Sequence, residues 1–412
     1  MDIARDSRLQ WVSMVLALAL FAWAAVWISG VGVVTDEHAH YPRAVGFARG
    51  DSTVFAEYTP MPPGYHVLAS SVMRVTGSES LTTVRLVSVF FGLVGALAFL
   101  GIRRQHGDGR ALLATAQLLI LPLIFPFYFL AYTDVLSASL ALVGAWAALR
   151  SWHVVAGVVL AAATVVRQNN VVTSAFIAVV AAWPTLAVTP AGRWIPVLLP
   201  RFWAYVLPVA VFVAVFVIYG GVTAAPALAA LAPPGRFDFG NLFLLPAAGA
   251  LLLPLHTALG WRAMTREARS RPWLWLVPLA LMVAFLLLFR ADHPLNAPVA
   301  EGHELFLRAR LFKAMDAHWL VRGGVGVIAV AGICGLAFNR LHADARWVWP
   351  AFALLFLGTQ WMIDVRYQLI PAVFWLAFRQ LSSDCVEFAT ALWWCALSAW
   401  LMAGIVAGAH FP

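Results

Sequence analysis

The chain has 412 residues, of which 62% are hydrophobic and 11% charged, and its net charge is +8. Soluble domains carry about a quarter charged residues, so this composition excludes a water-soluble enzyme. Apolar blocks of roughly 18–24 residues recur, the length an α-helix needs to cross a bilayer, whereas the short alternating segments of an outer-membrane barrel do not. The composition predicts an all-α polytopic membrane protein. Cys334, Cys385 and Cys395 indicate neither a disulfide framework nor a metal site.

Hydropathy predicts thirteen spans in chain order, which we interpret as one membrane domain covering residues 1–412. The first apolar block is too long for a signal-peptide core, so we expect it to be retained. Two windows, 153–166 and 367–379, are short enough for half-spans or broken helices, and 64–76 is a further partial candidate. The thirteen windows are 11–34, 80–102, 111–131, 133–149, 153–166, 170–185, 202–222, 240–260, 273–290, 322–339, 347–364, 367–379 and 386–408.

Basic residues orient these spans, because short arginine-rich loops stay cytoplasmic. The arginine-rich loops at 103–110 and 262–271 lie on one side if there are thirteen spans. The N-terminus is then cytoplasmic, that side carries the whole excess of +8, and the other side is neutral. The basic charge therefore indicates topology and not a nucleic-acid partner. The long polar segments 35–66, 223–239 and 291–321 are predicted to be external.

The first external loop (35–66) begins with two carboxylates, Asp36 and Glu37, at the end of the first span. A carboxylate at a membrane boundary is suited to general-base work. A helix start capped by Thr35 or Asp36 is an equally compatible interpretation. A metal site built from Asp36, Glu37, His38 and His40 is disfavoured, because residues i and i+2 do not share a helix face.

The same loop continues with three prolines and a glycine within residues 58–66. Such a run cannot form a helix or a central strand. It predicts a stiff segment at the membrane surface, which either holds a substrate or merely connects two elements.

Two further motifs carry charge at the ends of apolar spans. Asp134 follows the aromatic run 125–132, whose rings are typical of an interfacial belt. An intramembrane carboxylate indicates function, with helix capping as the alternative. Arg167, in the run Arg167-Gln168-Asn169-Asn170, needs an anionic partner, because an arginine at membrane depth costs about 2.5–3.5 kcal/mol. Asp134, a lipid headgroup or a substrate phosphate would each serve.

The last polar motifs lie in the large external loop (291–321) and at a later span boundary. Glu304 and Arg308 are spaced as a surface-helix ion pair, whereas His303 with Arg308 and Arg310 would grip a phosphate. Residues 364–367, Asp-Val-Arg-Tyr, form either an ion pair or another anion contact. No Walker loop or dinucleotide fingerprint occurs. An external enzyme cannot draw on cytoplasmic nucleotides, so an activated group must arrive on a lipid carrier.

A family resemblance rests on these motifs taken together. They resemble the dolichyl-phosphate-glucose α-1,2-glucosyltransferases, which add the terminal glucose to the lipid-linked oligosaccharide of N-glycosylation. A single lysine against 26 arginines hints at a bacterial homologue. The matching runs are Asp36-Glu37-x-x-His40-x-Pro42, Thr59-x-x-Pro62-Pro63-Gly64-Tyr65, Phe125-Pro126 with Phe129-Leu130-x-Tyr132-Thr133-Asp134, Arg167-Gln168-x-Asn170, His293-Pro294, His303-x-x-Phe306-x-x-Arg310 and Arg366-Tyr367.

The resemblance implies a GT-C fold and an inverting transfer of hexose, here glucose, from a polyprenyl-phosphate donor to a glycan or glycolipid acceptor. It also implies a site facing the periplasm of a bacterial inner membrane or the lumen of the endoplasmic reticulum. We expect no cofactor and no metal. Asp36 is the expected base, with Glu37 second. The remaining expected substrate-binding residues are His40, Pro63, Gly64, Tyr65, Tyr132, Asp134, Arg167, Gln168, Asn170, His303, Arg310, Arg366 and Tyr367.

Two other functions remain open from the sequence. A polyprenyl-phosphate mannosyltransferase of the same fold would carry the same motifs. A lipid-linked sugar flippase or transporter would show an internal repeat with broken spans in matching positions. No convincing repeat occurs, and the ionisable residues gather on one face rather than at the midplane.

Overall fold

The structure is a computed structural model of the chain. It describes residues 3–51, 53, 60–223, 230–231, 233, 235–296, 305–342 and 345–412. No β-strand occurs within these ranges, and the only bridges there join Phe306 to Phe411 and Leu341 to Arg379. The all-α class predicted from composition is thus confirmed.

Eighteen α-helices make up the described part of the chain. They are α1 (Ile3–Ser29), α2 (Glu37–Ala48), α3 (Gly64–Thr76), α4 (Leu81–Gln105), α5 (Ala111–Leu119), α6 (Thr133–Leu149), α7 (His153–Val166), α8 (Asn170–Val188), α9 (Trp194–Phe202), α10 (Val206–Tyr219), α11 (Gly240–Leu252), α12 (Pro254–Glu267), α13 (Leu276–Leu288), α14 (Leu307–Ala317), α15 (Trp319–Ala337), α16 (Val348–Gly358), α17 (Val365–Phe378) and α18 (Asp384–Val406).

Six helical segments in the described ranges are long and apolar enough to cross a membrane. A seventh span results if α11 and α12, which meet at an angle of 105°, are counted as one broken span. Five of the predicted windows hold shorter apolar helices of 10–17 residues. These are α6, α7, α13, α16 and α17. Each of the thirteen predicted windows contains a helix, and the chain is a multi-pass membrane protein. The number of complete crossings stays a prediction.

The aromatic run at 125–129 corrects one expectation. It forms a 3₁₀ turn that is entirely buried, with Phe125 and Phe129 at 0% exposure. Its rings pack against α1, where Phe21 lies 4.7 Å from Phe129 between ring centroids. The interfacial-belt interpretation is therefore wrong, because this segment lies inside the bundle and meets protein on all sides.

The two ends of the bundle are each fastened by charged groups. At one end, Arg379 after α17 donates to Glu387 of α18 at 2.6 Å and to Gln117 of α5 at 2.7 Å. At the other end lie the start of α2, the start of α6, the end of α7 and the start of α17. We call the second end the site end and the first the opposite end.

Candidate functional site

Charged side chains from five parts of the chain meet at the site end. We call this set the acid–arginine cluster; it consists of Asp36, Asp134, Arg167, Arg308, Asp364 and Arg366. All six lie outside helix interiors, at a cap or in a first or last turn, where the backbone direction is free to change. The three carboxylates and three guanidinium groups balance in charge.

Asp36 and Arg366 form the contact that joins the two ends of the sequence. Nη1 of Arg366 donates to Oδ2 of Asp36 at 2.5 Å. The same guanidinium donates to Asp364 through Nε at 3.3 Å and Nη2 at 3.2 Å. The Asp36 side chain is 41% exposed, whereas that of Asp364 is 1% exposed. Of the two carboxylates that bond Arg366, Asp36 is therefore the one that a molecule from solvent can reach.

Asp364 anchors two arginines at once. It caps α17 by accepting the backbone N–H of Arg366 at 2.9 Å, and it accepts Nη1 of Arg308 at 3.0 Å. Burial raises the pKa of Asp364, but the charges of Arg308 and Arg366 outweigh burial and lower the pKa to about 2. Asp364 therefore remains a carboxylate and holds both guanidinium groups in place. The sequence motif at 364–367 drew attention to Arg366, but Asp364 itself was not among the expected site residues.

Arg167 and Asp134 form a second ion pair beside the first. Nη1 of Arg167 donates to Oδ1 of Asp134 and, at 3.4 Å, to Thr133. Oδ2 of Asp134 is buried and has no hydrogen-bond partner among the described residues. Asp134, Arg167, Arg366 and Tyr367 line a cavity of about 10 Å³, close to the minimum that holds one water. The two ion pairs thus share a small polar pocket.

Tyr132 ties the first external loop to the start of α6. Its hydroxyl accepts the backbone N–H of Asp36 at 3.0 Å and shares a hydrogen bond with the hydroxyl of Thr35. Thr35 has a φ of 44°, a left-handed conformation in which a β-branched residue is strained. Backbone strain of this kind persists only where surrounding contacts impose it. The Tyr132 hydroxyl is the contact that holds Asp36 at this turn.

Glu37, the second candidate base, is placed differently from its neighbour. Its side chain is 0% exposed and pairs with Arg85 of α4. Oε1 accepts Arg85 Nε at 2.9 Å and the Ala131 N–H at 2.7 Å, and Oε2 accepts Arg85 Nη2 at 2.6 Å and the Val34 N–H at 3.1 Å. A carboxylate offers about four lone pairs, so none is left for an acceptor hydroxyl. This geometry favours a positioning role. An arginine within an apolar span, such as Arg85, was the signal that could have indicated the pair.

His40 lies behind Tyr132, away from the open side of the cluster. Its Nδ1 is 3.0 Å from Nε2 of His66, and its ring centroid is 5.8 Å from that of Tyr132. Burial, followed by the charges of Arg366, Arg43 and Arg167, lowers the pKa of His40 to about 3. His40 is therefore neutral and supports Tyr132. His66 was not among the expected site residues.

Several expected binding residues lie in the framework around the cluster. Pro63 precedes α3, and Gly64 lies so close to α7 that a Cβ there would be 2.7 Å from the Val165 carbonyl oxygen. Tyr65 is 0% exposed. Gln168 donates to the carbonyls of Pro60 at 2.9 Å and Val222 at 2.6 Å, and Asn170 donates to Ser137 at 2.7 Å.

The sequence favoured Arg310 over Arg308 as a substrate-binding residue, and the structure reverses this order. Arg310 is exposed and donates to the Ala409 carbonyl at 2.8 Å, whereas Arg308 is 7% exposed and belongs to the cluster. The buried face of α14 comprises Arg308, Ala309, Phe312 and Met315. The apolar residues at i+4 and i+7 from Arg308 were the signal for its inward direction. His303 falls outside the described residues.

The four residues weighed for a metal site point in different directions. Asp36 bonds Arg366, Glu37 bonds Arg85, His40 bonds His66, and His38 is exposed. Across the described ranges, no group of three or more histidine, cysteine, aspartate or glutamate side chains is arranged to hold a metal ion.

Comparisons with known proteins give one structural and one family match. The chain is similar in structure to ArnT from Cupriavidus metallidurans in the apo state, with a TM-score of 0.42, 18% sequence identity, and coverage of 94% of this chain and 78% of that chain. No curated protein matches the sequence. Residues 32–194, which are less than half of the chain and include Asp36, Asp134 and Arg167, match the model of the DIE2/ALG10 family.

Proposed function

We propose that this chain is an inverting membrane glycosyltransferase of the GT-C fold that moves a hexose from a polyprenyl-phosphate donor to a glycan or glycolipid acceptor. One observation carries the proposal: a half-exposed Asp36 carboxylate lies 2.5 Å from an arginine within a charged cluster at one end of a membrane bundle. The family match over 32–194 supports it. The resemblance of the motifs to dolichyl-phosphate-glucose enzymes favours glucose as the hexose.

Inversion in one step needs a base on the acceptor side and a cation on the phosphate side. Asp36 takes the proton of the acceptor hydroxyl while that oxygen bonds to the anomeric carbon. The bond from the anomeric carbon to the phosphate oxygen breaks, and a polyprenyl phosphate monoester leaves with the electron pair. A positioned base contributes roughly 10²–10⁴-fold to such a step.

The Asp36–Arg366 pair couples these two events. In the resting cluster, Asp36 holds Nη1 of Arg366. When Asp36 is protonated, its attraction for Arg366 weakens, and the guanidinium becomes available to the leaving phosphate. The phosphate meanwhile changes from a diester of charge near −1 to a monoester approaching −2. A cation that becomes available as this charge grows stabilises the transition state more than the ground state.

Arg167 is the second cation proposed for the phosphate. It is buried, paired with Asp134, and lines the same small cavity as Arg366. Because Asp364 holds Arg366 and Arg308 while Asp134 holds Arg167, each guanidinium is oriented before the donor arrives. Planar guanidinium groups in fixed orientation suit bidentate contact with phosphate oxygens.

The test is transfer from synthetic polyprenyl-phosphate glucose by purified variants in detergent. Asp36→Asn keeps the size of the side chain and removes the base, so turnover should fall by about 10²–10⁴-fold. Its matched control is Asp51→Asn, because Asp51 is exposed and lies outside the acid–arginine cluster, where its carboxylate accepts hydrogen bonds from Thr53. Near-normal turnover in Asp36→Asn would refute the assignment. Faster transfer from the mannose donor than from the glucose donor would correct the hexose.

A further inference from the structure

A large apolar groove opens at the opposite end of the bundle and runs along α11 and α16 toward the site end. Its volume is about 1340 Å³, more than a typical small-molecule pocket of about 300–1000 Å³. We call it the α11–α16 groove, because these two helices line it with more residues than any other helix, while α15, α17 and the flanking segments supply the rest. Nothing in the proposed reaction uses it.

The break between α11 and α12 lies in the wall of the groove. The chain turns by 105° between α11 and α12, and Leu252 and Leu253 at this break line the groove. The groove runs beside α11 from Leu242 to Leu252, with residues of α15, α16 and α17 also in its lining. Trp349 and Trp394 also line it, and their indole N–H groups donate to the carbonyls of Pro371 and Leu252. Their rings therefore present an apolar wall.

The mouth of the groove lies at the opposite end. Arg340 follows α15, Arg346 precedes α16 and Gln380 follows α17, and all three line the opening. Gln380 donates its backbone N–H to the Arg340 carbonyl at 2.8 Å, which places these loops together. From Trp347 to Leu357 the groove follows α16 for about 15 Å, half of the roughly 30 Å hydrocarbon thickness. The depth of the groove therefore matches the hydrocarbon thickness of one bilayer leaflet.

The charge of Arg340 and Arg346 at the mouth favours a lipid with an anionic headgroup. Neither Arg340 nor Arg346 is within ion-pair distance of a carboxylate among the described residues. The acid in the lining, Glu267, is already paired with Arg271 at 3.1 Å. Trp347 is 67% exposed beside the mouth, with the Arg346 guanidinium 5.0 Å from its ring centroid. Exposed tryptophan next to arginine is typical of the headgroup level of a bilayer.

We propose that the α11–α16 groove binds one anionic phospholipid of the leaflet at the opposite end, with its acyl chains against the tryptophan-lined wall and its phosphate at Arg340 and Arg346. This inference is independent of the proposed glycosyl transfer. It follows from the size, depth and polarity of the groove and from its two arginines, which pair with no carboxylate of the described residues.

Native mass spectrometry of the full-length protein in neutral detergent tests the proposal. Delipidated protein is offered equimolar phosphatidylglycerol and phosphatidylcholine with identical chains. Wild-type protein should retain phosphatidylglycerol preferentially. Arg340→Gln with Arg346→Gln should lower that retention by roughly tenfold or more, as expected for two lost basic contacts near an anionic headgroup. Ala337→Trp, at an exposed position in the lining, should lower retention of both lipids.

The matched control removes two arginines elsewhere at the same end. Arg104 and Arg269 are exposed and do not line the groove, so Arg104→Gln with Arg269→Gln should retain phosphatidylglycerol like wild type. Three results would overturn the proposal: no headgroup preference in wild type, equal loss in the control, or full retention in Ala337→Trp at unchanged Tm. Displacement of phosphatidylglycerol by equimolar polyprenyl phosphate would overturn the chosen occupant. Because lipid retention is read without any transfer reaction, failure here leaves the proposed function untouched.

Discussion

Tyr132 makes two hydrogen bonds to the first external loop at the point where its backbone is strained. The hydroxyl bonds the Thr35 side chain and the Asp36 N–H, and Thr35 has a φ of 44°. A strained residue of this kind costs of order 1–3 kcal/mol. At this strained turn the backbone changes direction before α2, and the Asp36 side chain meets Arg366. Tyr132 is therefore a positioning residue for the proposed base.

Removing the Tyr132 hydroxyl should reduce turnover without preventing folding. Tyr132→Phe keeps the buried ring but frees the turn at Thr35, so Asp36 loses its fixed position. A displacement of about 1 Å in a reacting group costs up to about 10²-fold in rate. We expect kcat to fall about 10- to 100-fold, with little change in donor KM, in the purified transfer assay.

The matched control for this prediction is Tyr128→Phe. Tyr128 is another buried tyrosine, and its hydroxyl donates to the Leu118 carbonyl at 3.3 Å, away from the cluster. This variant should keep wild-type turnover. If both variants lose activity equally, or if Tyr132→Phe keeps full kcat, the positioning role is wrong.

Arg308 and Arg310 offer a second comparison at the residue scale. Arg308 bonds Asp364 at 3.0 Å inside the cluster, whereas Arg310 bonds an outer carbonyl. Removing one partner of a buried pair costs about 3–5 kcal/mol. Arg308→Gln should therefore lower both Tm and turnover, because Asp364 loses one of the two charges that fix it. Arg310→Gln should leave both close to wild type.

Arg308→Lys separates folding from catalysis in this pair. It keeps the positive charge, so Tm should recover, while the loss of the guanidinium geometry should keep turnover reduced. Each variant is compared by thermal unfolding and transfer in the same detergent. An inactive Arg310→Gln beside a fully active Arg308→Gln would restore the ranking inferred from the sequence.

At the scale of elements, the Glu37–Arg85 pair fastens α2 to α4. Glu37 also accepts N–H groups from Val34 and Ala131, and Arg85 donates to the Ile28 and Val31 carbonyls at the end of α1. One buried pair thus joins α1, α2, α4 and the segment before α6. The placement of α2 at the start of the first external loop depends on it.

Glu37→Gln should destabilise the protein more than it impairs the chemical step. The neutral amide leaves the buried Arg85 without its counter-charge, a change that costs about 3–5 kcal/mol. We expect a clear fall in Tm, with the folded fraction retaining measurable turnover per molecule. Thermal unfolding and active-fraction titration measure the two effects separately.

The comparison variant is Glu79→Gln in an exposed pair. Glu79 bonds Arg49 at 2.6 Å near the surface, where solvent screens the interaction, so Tm should hardly change. A stable but inactive Glu37→Gln, beside near-normal turnover in Asp36→Asn, would transfer the base to Glu37.

Local sequence predicted where the helices lie but not where all of them end. The short windows at 153–166 and 367–379 do contain helices of 14 residues each. The window at 111–131 does not continue as one helix: α5 ends at Leu119, and Pro122 and Pro126 follow. Proline lacks the N–H that a helix interior requires. The break after Leu252 precedes Pro254 in the same way.

For the whole molecule, the side of the membrane on which the cluster lies is a prediction that labelling can check. The basic loops predict that the site end is external and the opposite end cytoplasmic. A membrane-impermeant maleimide should label Thr53→Cys, an exposed position near the site end, in intact cells. The bilayer blocks the reagent from the other face, so labelling reports the side directly.

A native cysteine supplies the internal control for this experiment. Cys385 is exposed at the start of α18, at the opposite end, and should label only after permeabilisation. Labelling of Thr53→Cys is therefore measured in a protein that also carries Cys385→Ser, so that Cys385 does not contribute to the signal. Labelling of Cys385 in intact cells, or of Thr53→Cys only in permeabilised cells, would invert the topology.

The sequence by itself determined the features that depend on nearby residues. Apolar length and composition predicted a helical membrane protein, because lipid leaves backbone groups no partner outside a helix. Proline and charge at span ends marked the loop at 35–66 and the motifs around Asp134, Arg167 and Arg366. These signals are local, so they survive without knowledge of the packing.

Only the tertiary structure decided which of two neighbouring candidates faces the cluster. Asp36 meets Arg366 across 330 positions of sequence, while Glu37 turns the other way to Arg85 because adjacent residues leave a backbone in different directions. Arg308 and Arg310 lie two positions apart on α14 and so point to nearly opposite faces. The rotation of α14 is set by the burial of Phe312 and Met315. The direction of these side chains depends on packing between segments that are far apart in the sequence, and a local sequence pattern carries no information about that packing.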